Sequence, residues 1–302
     1  MTTATLKPSV TAPRRRRSSG GYTPTQAPLP SKVVVGLVLL ITAIYSLAPV
    51  WWLLVTATKN NGYLFSTNGF WFSHFDLWNN IQQVFTMQGG LFARWMLNSA
   101  LYSVLGAAVG TALSVMAGYA LAKYRFRGKN AVFNVILAAV LIPAPMFALP
   151  LYLMFTSIGI VNTFWAVSLP SIVSPFGVYL SRVYASSSVP DEMIEAARLD
   201  GASEGGAFWR IAAPVMAPAL VTIFLFQFVA IWNNYLLPAI MLSDASLQPV
   251  TVGLAGWRSQ FNNGVPYNVT ITGAFLSIIP LVIAFLCLQR FWRAGLTAGS
   301  VK

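Results

Sequence analysis

The chain has 302 residues, of which 56% are apolar and only 9% charged. So much apolar surface cannot be hidden in one soluble core, which excludes a soluble globular domain and predicts an all-α integral membrane protein. The net charge of +12 is dispersed over loop ends rather than gathered on one face, so the expected partner of the basic residues is the lipid bilayer and not nucleic acid.

Residues 1–31 are rich in Thr, Ser and Pro and carry Arg14, Arg15, Arg16 and Arg17; they read as a disordered basic cytoplasmic tail resting on anionic lipid heads. The apolar run that begins at Val33 is too long for the core of a signal peptide. Apolar runs of about 20 residues predict six membrane spans, near 33–58, 95–122, 131–156, 161–185, 213–241 and 269–289, within one six-span domain of 32–302. The first span contains Pro49 and an aromatic pair, Trp51 and Trp52, suited to an interfacial anchor. Residues 59–94 then form an external loop dense in aromatics. This loop is expected to fold against the membrane surface or against a partner. It holds the only histidine, His74, which has no companion His or Cys and is expected to be interfacial rather than a metal ligand.

The second span is dense in small residues, including Gly106, Gly110, Ser114 and Gly118, which let helix backbones approach closely in a bilayer. It ends in a basic turn, Lys123 to Lys129. A phosphate-binding loop is absent there, since Asn130 and not Ser or Thr follows Lys129, so the chain is not expected to hydrolyse a nucleotide. Pro143, Pro145, Pro150, Pro170 and Pro175 interrupt the third and fourth spans, as a gate or as bends that improve packing. Cys287 is the single cysteine and lies in the last span, which excludes a disulfide framework and a thiolate metal site. Placing both termini in the cytoplasm puts all but three of the 19 basic residues on the inner side, the exceptions being Lys59, Arg94 and Arg258.

The loop of 186–212, between spans four and five, holds five of the seven acidic residues: Asp191, Glu192, Glu195, Asp200 and Glu204. Ser188, with Pro190 in the first turn and Gly201 as the stop, predicts one short helix, and Ser203 before Glu204 a second. The fifth span carries Gln227, Trp232, Asn233, Asn234 and Tyr235 before Pro238. Uncharged amides at that depth are expected either to line a solute pathway or to bond between helices, and the seven-residue spacing places Gln227 and Asn234 on one helix face. With no charged side chain in a span interior, ion-coupled transport is disfavoured.

The 186–212 loop resembles the cytoplasmic coupling loop of permease subunits in bacterial ATP-binding-cassette importers. Glu195, Ala196, Ala197, Gly201, Ile211 and Pro214 match its spacing, with Asp200 inside it, and Ala213 departs from the family's leucine. The Trp232-Asn233 run, and Gln289-Arg290-Phe291 followed by Gly295 to Gly299, are similar to the smaller maltose-type permease of sugar importers. The resemblance implies half of a translocation pathway for sugars, chiefly oligosaccharides. It implies a second permease subunit, two ATPase subunits that use ATP and Mg, an extracytoplasmic sugar-binding protein, a multi-pass place in the bacterial inner membrane, and no cofactor or metal on this chain. It further implies that Leu296, Thr297, Ala298 and Gly299, in a tail of 290–302, reach the ATPase pair. Alternative readings are an importer permease for another solute, such as glycerol phosphate, and a stand-alone secondary transporter.

Overall fold

The computed structural model describes residues 29–259 and 264–298, all of them helical or connecting segments without a strand among the described residues. In chain order the helices are α1 (Leu29–Ala57), α2 (Leu77–Thr86), α3 (Leu91–Lys123), α4 (Lys129–Leu141), α5 (Ala148–Ser157), α6 (Phe164–Ser171), α7 (Pro175–Ser188), α8 (Asp191–Leu199), α9 (Glu204–Ala207), α10 (Ala213–Val215), α11 (Ala217–Trp232), α12 (Leu236–Met241), α13 (Val250–Ser259) and α14 (Tyr267–Ala298). Four segments are long and apolar enough to cross a membrane: Ser31–Ala57, Leu91–Lys123, Phe164–Ser188 and Tyr267–Gln289. Two bent pairs raise the count to six if each is one span.

Those bends fall in the third and fifth of the expected spans. The run 131–156 is broken after Leu141, and its halves differ in direction by 99°. Pro143 lacks a backbone donor and Ile142 before it is held extended, the conformation that a following proline enforces. The run 213–241 is likewise broken, at Met216 and again after Trp232. At the other end of the chain, α14 continues as helix into the expected tail of 290–302, through Leu296, Thr297 and Ala298. Gly299 to Lys302 and the first 28 residues lie outside the described residues.

Among the described residues, those up to Pro49 and those from Val50 onward form separate units. In the first, the helix from Ser31 onward presents apolar side chains on nearly every position, as lipid-facing helices do. In the second, α3 is the central element. Its small residues face α6, α7 and α11: Gly118 abuts Ser181 and Arg182, and Gly110 abuts the Gln227 amide so closely that no Cβ would fit. The predicted small-residue stripe is thus a packing seam.

At one end of α3, Trp95 Nε1 donates to Ala245 O at 2.8 Å, and Asn98 Nδ2 donates to Ser246 O and Gln248 O at 2.8 and 3.0 Å. Nearby, Asn80 Nδ2 donates to Ala57 O and Lys59 O, and Asn268 Nδ2 donates to Asn80 Oδ1 at 2.8 Å. These bonds satisfy the free carbonyls where α1 ends and fasten α2 and α14 to it. At the opposite end of α3, about 50 Å away at 1.5 Å per residue, Lys123 meets α8.

Candidate functional site

The loop after α7 folds into a knob at the Lys123 end. Ser188 closes α7 and does not cap the next helix as expected; Val189 and Pro190 are extended, and α8 starts at Asp191. Asp191 and Glu192 occupy its first turn and Arg198 its last, each sign matching the helix dipole. The helix stops where expected. Gly201 takes φ +83°, and Ala202 N and Gly201 N bond back to Ala197 O and Arg198 O at 2.9 and 3.0 Å, which satisfies the last carbonyls in the left-handed stop that glycine adopts without cost. Ser203 Oγ accepts from Gly206 N at 3.2 Å and opens α9.

From Phe208 to Ala212 the chain forms a π-helical turn, which inserts an extra residue per turn and is frequent at functional sites. Ile211 lies half-buried in that turn and Pro214 is exposed in α10. The direction then changes by 79° into α11.

Two faces of α8 have different fates. Ile194 and Ala197 are buried, and Ile194 joins Tyr119, Ala185, Val189, Phe208 and Met216 in one core cluster. On the outer face Glu195, Ala196, Asp200 and Gly201 are exposed, and Leu199 is 89% exposed. The knob is therefore packed as one body with α3, α7 and α11 while it presents an acidic, partly apolar ridge outward.

Sequence reasoning missed the two ion pairs that hold the knob. Lys123 Nζ donates to Asp191 Oδ1 at 2.6 Å, joining α8 to the end of α3. Arg198 Nε and Nη2 donate to Glu204 Oε1 and Oε2 at 2.7 and 3.1 Å, a two-pronged contact that staples α8 to α9 across Gly201. The signal lay in the opposite charges six residues apart, but only the turn geometry brings them together. The hydrogen bond from Lys123 holds the Asp191 carboxyl below its usual 3.8, and that from Arg198 holds Glu204 below its usual 4.5.

A depressed folded-state pKa contributes stability above the unfolded value, and that stability is lost as pH falls through the folded value. Both clamps are therefore expected to persist at neutral pH, to weaken only below about pH 4, and to be lost in acid. Hydrogen exchange of the Ala197 to Ala202 amides against pH checks this; protection that falls already between pH 7 and 5 contradicts it.

The amides of the fifth span are placed differently from the sequence expectation. α11 ends at Trp232, and Asn233 and Asn234 form a break before α12, so Gln227 and Asn234 do not share a helix face. Gln227 is buried, and its Nε2 donates to Ser171 O at 2.9 Å and Gly106 O at 3.3 Å, tying three elements together; its Oε1 has no partner. Trp232 is buried and stacks on Phe228 with ring centres 5.8 Å apart. Asn233 Nδ2 bonds to Val229 O at 2.9 Å, while Asn234 O accepts from Thr251 Oγ1 at 2.9 Å. Asn233 and Tyr235 are exposed. Among the described residues no group of three or more His, Cys, Asp or Glu could hold a metal ion.

Residues 110–296 match the family of inner-membrane components of binding-protein-dependent transport systems. The chain belongs to that family. As a permease component it is similar to the arabinooligosaccharides transport system permease protein AraQ of Halalkalibacterium halodurans, 37% identical over 224 residues, or 74% of this chain and 79% of that one. It is also similar to the lactose transport system permease protein LacG of Rhizobium radiobacter, 30% identical over 226 residues, or 75% and 81% of the two chains. Its fold is similar to that of a chain in the crystal structure of a bacterial ABC transporter involved in import of the acidic polysaccharide alginate. The TM-score is 0.76 at 23% identity, covering 87% of this permease and 96% of that chain. The protein is thus a multi-pass membrane permease and one component of a transport system, and not itself an enzyme.

Proposed function

We propose that this permease forms half of the pathway of an ATP-driven sugar importer and takes its drive through the 190–214 loop. The observation that carries the reading is the α8 ridge. Glu195 and Asp200 are free of the two clamps and face outward beside exposed Leu199, on a body continuous with α3, α7 and α11. A partner that pushed this ridge would move those helices together. In this reading the partners are two ATPase subunits that bind ATP and Mg, a second permease subunit and an extracytoplasmic sugar-binding protein. Both termini are cytoplasmic, and the end of α14 from Leu296 to Ala298, with Gly299 beyond it, reaches the ATPase pair. Sugars are favoured because the relatives are named for arabinooligosaccharides and for lactose.

The break after α11 supplies the pathway in this proposal. An interrupted helix exposes backbone groups that a bilayer tolerates only where protein or water satisfies them, and Asn233, Asn234 and Tyr235 sit there with Trp232 and Gln227 behind. Asn234→Leu is expected to lower transport clearly while leaving binding of the ATPases intact, because the change lies far from the knob. Unaltered uptake kinetics would remove Asn234 from the pathway.

The decisive experiment is ATP hydrolysis by the complete reconstituted system against a panel of solutes delivered with the binding protein. Stimulation by arabino-oligosaccharides or lactose supports the reading. Stimulation by glycerol phosphate alone, or uptake by this chain without ATPases, replaces it.

A further inference from the structure

The end of the bundle remote from the knob carries an apolar surface that coupling does not use. Phe65, Phe70, Trp71, Phe75 and Trp78 are 78, 55, 68, 69 and 79% exposed, and residues 60–75 contain no Asp, Glu, Lys or Arg. An aromatic patch of this kind is rarely left to water.

Its depth is fixed by the ends of two spans. Trp51 Nε1 donates to Phe70 O at 3.0 Å and its ring meets Phe72 edge-on at 5.6 Å. Gly69 lies against the Trp52 indole, where a Cβ would come within 3.0 Å of Nε1. Trp51 and Trp52 stand in the last turns of the span that ends at Ala57. On the other side, Phe65 meets the ring of Tyr267 at 5.6 Å, and Tyr267 opens the last span. Lys59, fully buried, donates from Nζ to Asn68 O at 2.6 Å and so ties the base of the loop down. α2 continues the surface: Asn80 and Val84 are buried toward the bundle, while Trp78 and Phe85, seven apart on the other face, are exposed.

We propose that residues 62–85 are an interfacial lipid-binding surface, whose aromatic rings rest among the headgroups and upper acyl chains of the bilayer and anchor the ends of the first and last spans. Amphipathic aromatic rings are most favourable at that level, where one side of the ring is apolar and the other wet. A soluble partner that docks and departs would return these rings to water at every departure, whereas lipid covers them permanently. Because residues 62–85 contain no Lys or Arg, the patch differs from the Lys- and Arg-rich surface helices that select anionic lipid. Its occupancy is expected to be independent of lipid charge.

The test uses the full-length chain reconstituted in vesicles of phosphatidylcholine, with and without phosphatidylglycerol. Phe65→Cys, Trp71→Cys and Trp78→Cys, each in a Cys287→Ser background, receive an environment-sensitive fluorophore. All three positions are at the surface, so each substitution leaves the core intact and the three serve as independent probes. Quenching by lipid nitroxides placed near the glycerol level should exceed quenching by aqueous iodide several-fold at all three sites, equally in both lipid mixtures. Dominant iodide quenching, which marks a water-exposed surface awaiting a soluble partner, overturns the proposal. So does protection from both quenchers, which marks cover by another protein.

Discussion

Gly201→Val should leave the permease inserted in the membrane yet uncoupled, with ATPase lost on purification or ATP hydrolysed without solute uptake. No neighbouring atom lies within 4 Å of the place a Cβ would take, so the effect is not a clash. It arises from the backbone: φ is +83°, and an L-residue pays about 1–2 kcal/mol in the left-handed region, more when β-branched. The chain can relieve that strain by turning Gly201 out of its αL stop. The bonds from Gly201 N and Ala202 N to the end of α8 would then be lost, and the Arg198–Glu204 staple would lose the turn that aligns it. Glu195→Lys tests the same surface by another route, since Glu195 is exposed and its replacement disturbs no packing. Charge reversal on the ridge should weaken ATPase association and leave the fold alone. If both variants couple transport to hydrolysis like the unmodified protein, the ridge is not the contact.

The knob shows how far a sequence speaks about structure. Its stop at Gly201, its cap at Ser203 and its isolation between apolar runs are local features, set within a few residues, and they were legible. Which side of α8 each residue takes was not legible: of the residues that match the coupling-loop spacing, Glu195 and Ala196 are exposed, whereas Ala197 turns inward to the core. What else was not legible depends on direction changes that periodicity does not encode. Hydropathy averages over Met216 and over Asn233-Asn234, so the 79° bend and the end of α11 vanished into one long apolar run. With them vanished the true setting of Gln227, whose partners Gly106 O and Ser171 O lie 121 and 56 residues away. The clamp between Lys123 and Asp191 spans 68 residues and is likewise a product of the fold. The proline breaks were visible as residues, but a proline alone does not say whether a span bends slightly or by 99°.

The second large effect is expected inside the bundle, at Gly118→Leu. α3 and α7 approach so closely here that a Cβ on residue 118 would lie 2.5 Å from Ser181 Cβ and Oγ and 2.7 Å from Arg182 N. The last of these is backbone and cannot rotate away, so α7 must move as a whole. Overpacking of this kind costs about 1–3 kcal/mol where side chains can yield, and more where backbone must shift. In a bilayer no hydrophobic force compensates, because lipid is as apolar as the interface and close packing itself holds the helices together. Ser181 Oγ, which donates to Val115 O at 3.3 Å, would be displaced, and this hydroxyl bond between the two helices would be lost while Val115 O keeps its place in the α3 ladder. The displacement does not stay local. α7 leads through Val189 and Pro190 into α8, and Ala185, Val189 and Ile194 share one core cluster with Tyr119 of α3. Gly118→Leu should therefore lower the thermal unfolding temperature in detergent and loosen the knob together with the bundle. Gly118→Ala should do the same to a smaller degree. Hydrogen exchange of α8 amides separates this from a local defect: faster exchange in α8 than in the unmodified protein is expected. Unchanged protection of α8 beside a destabilised α7 would mean that the knob is held by its ion pairs alone and that motion of the ridge is not passed into the spans through α7.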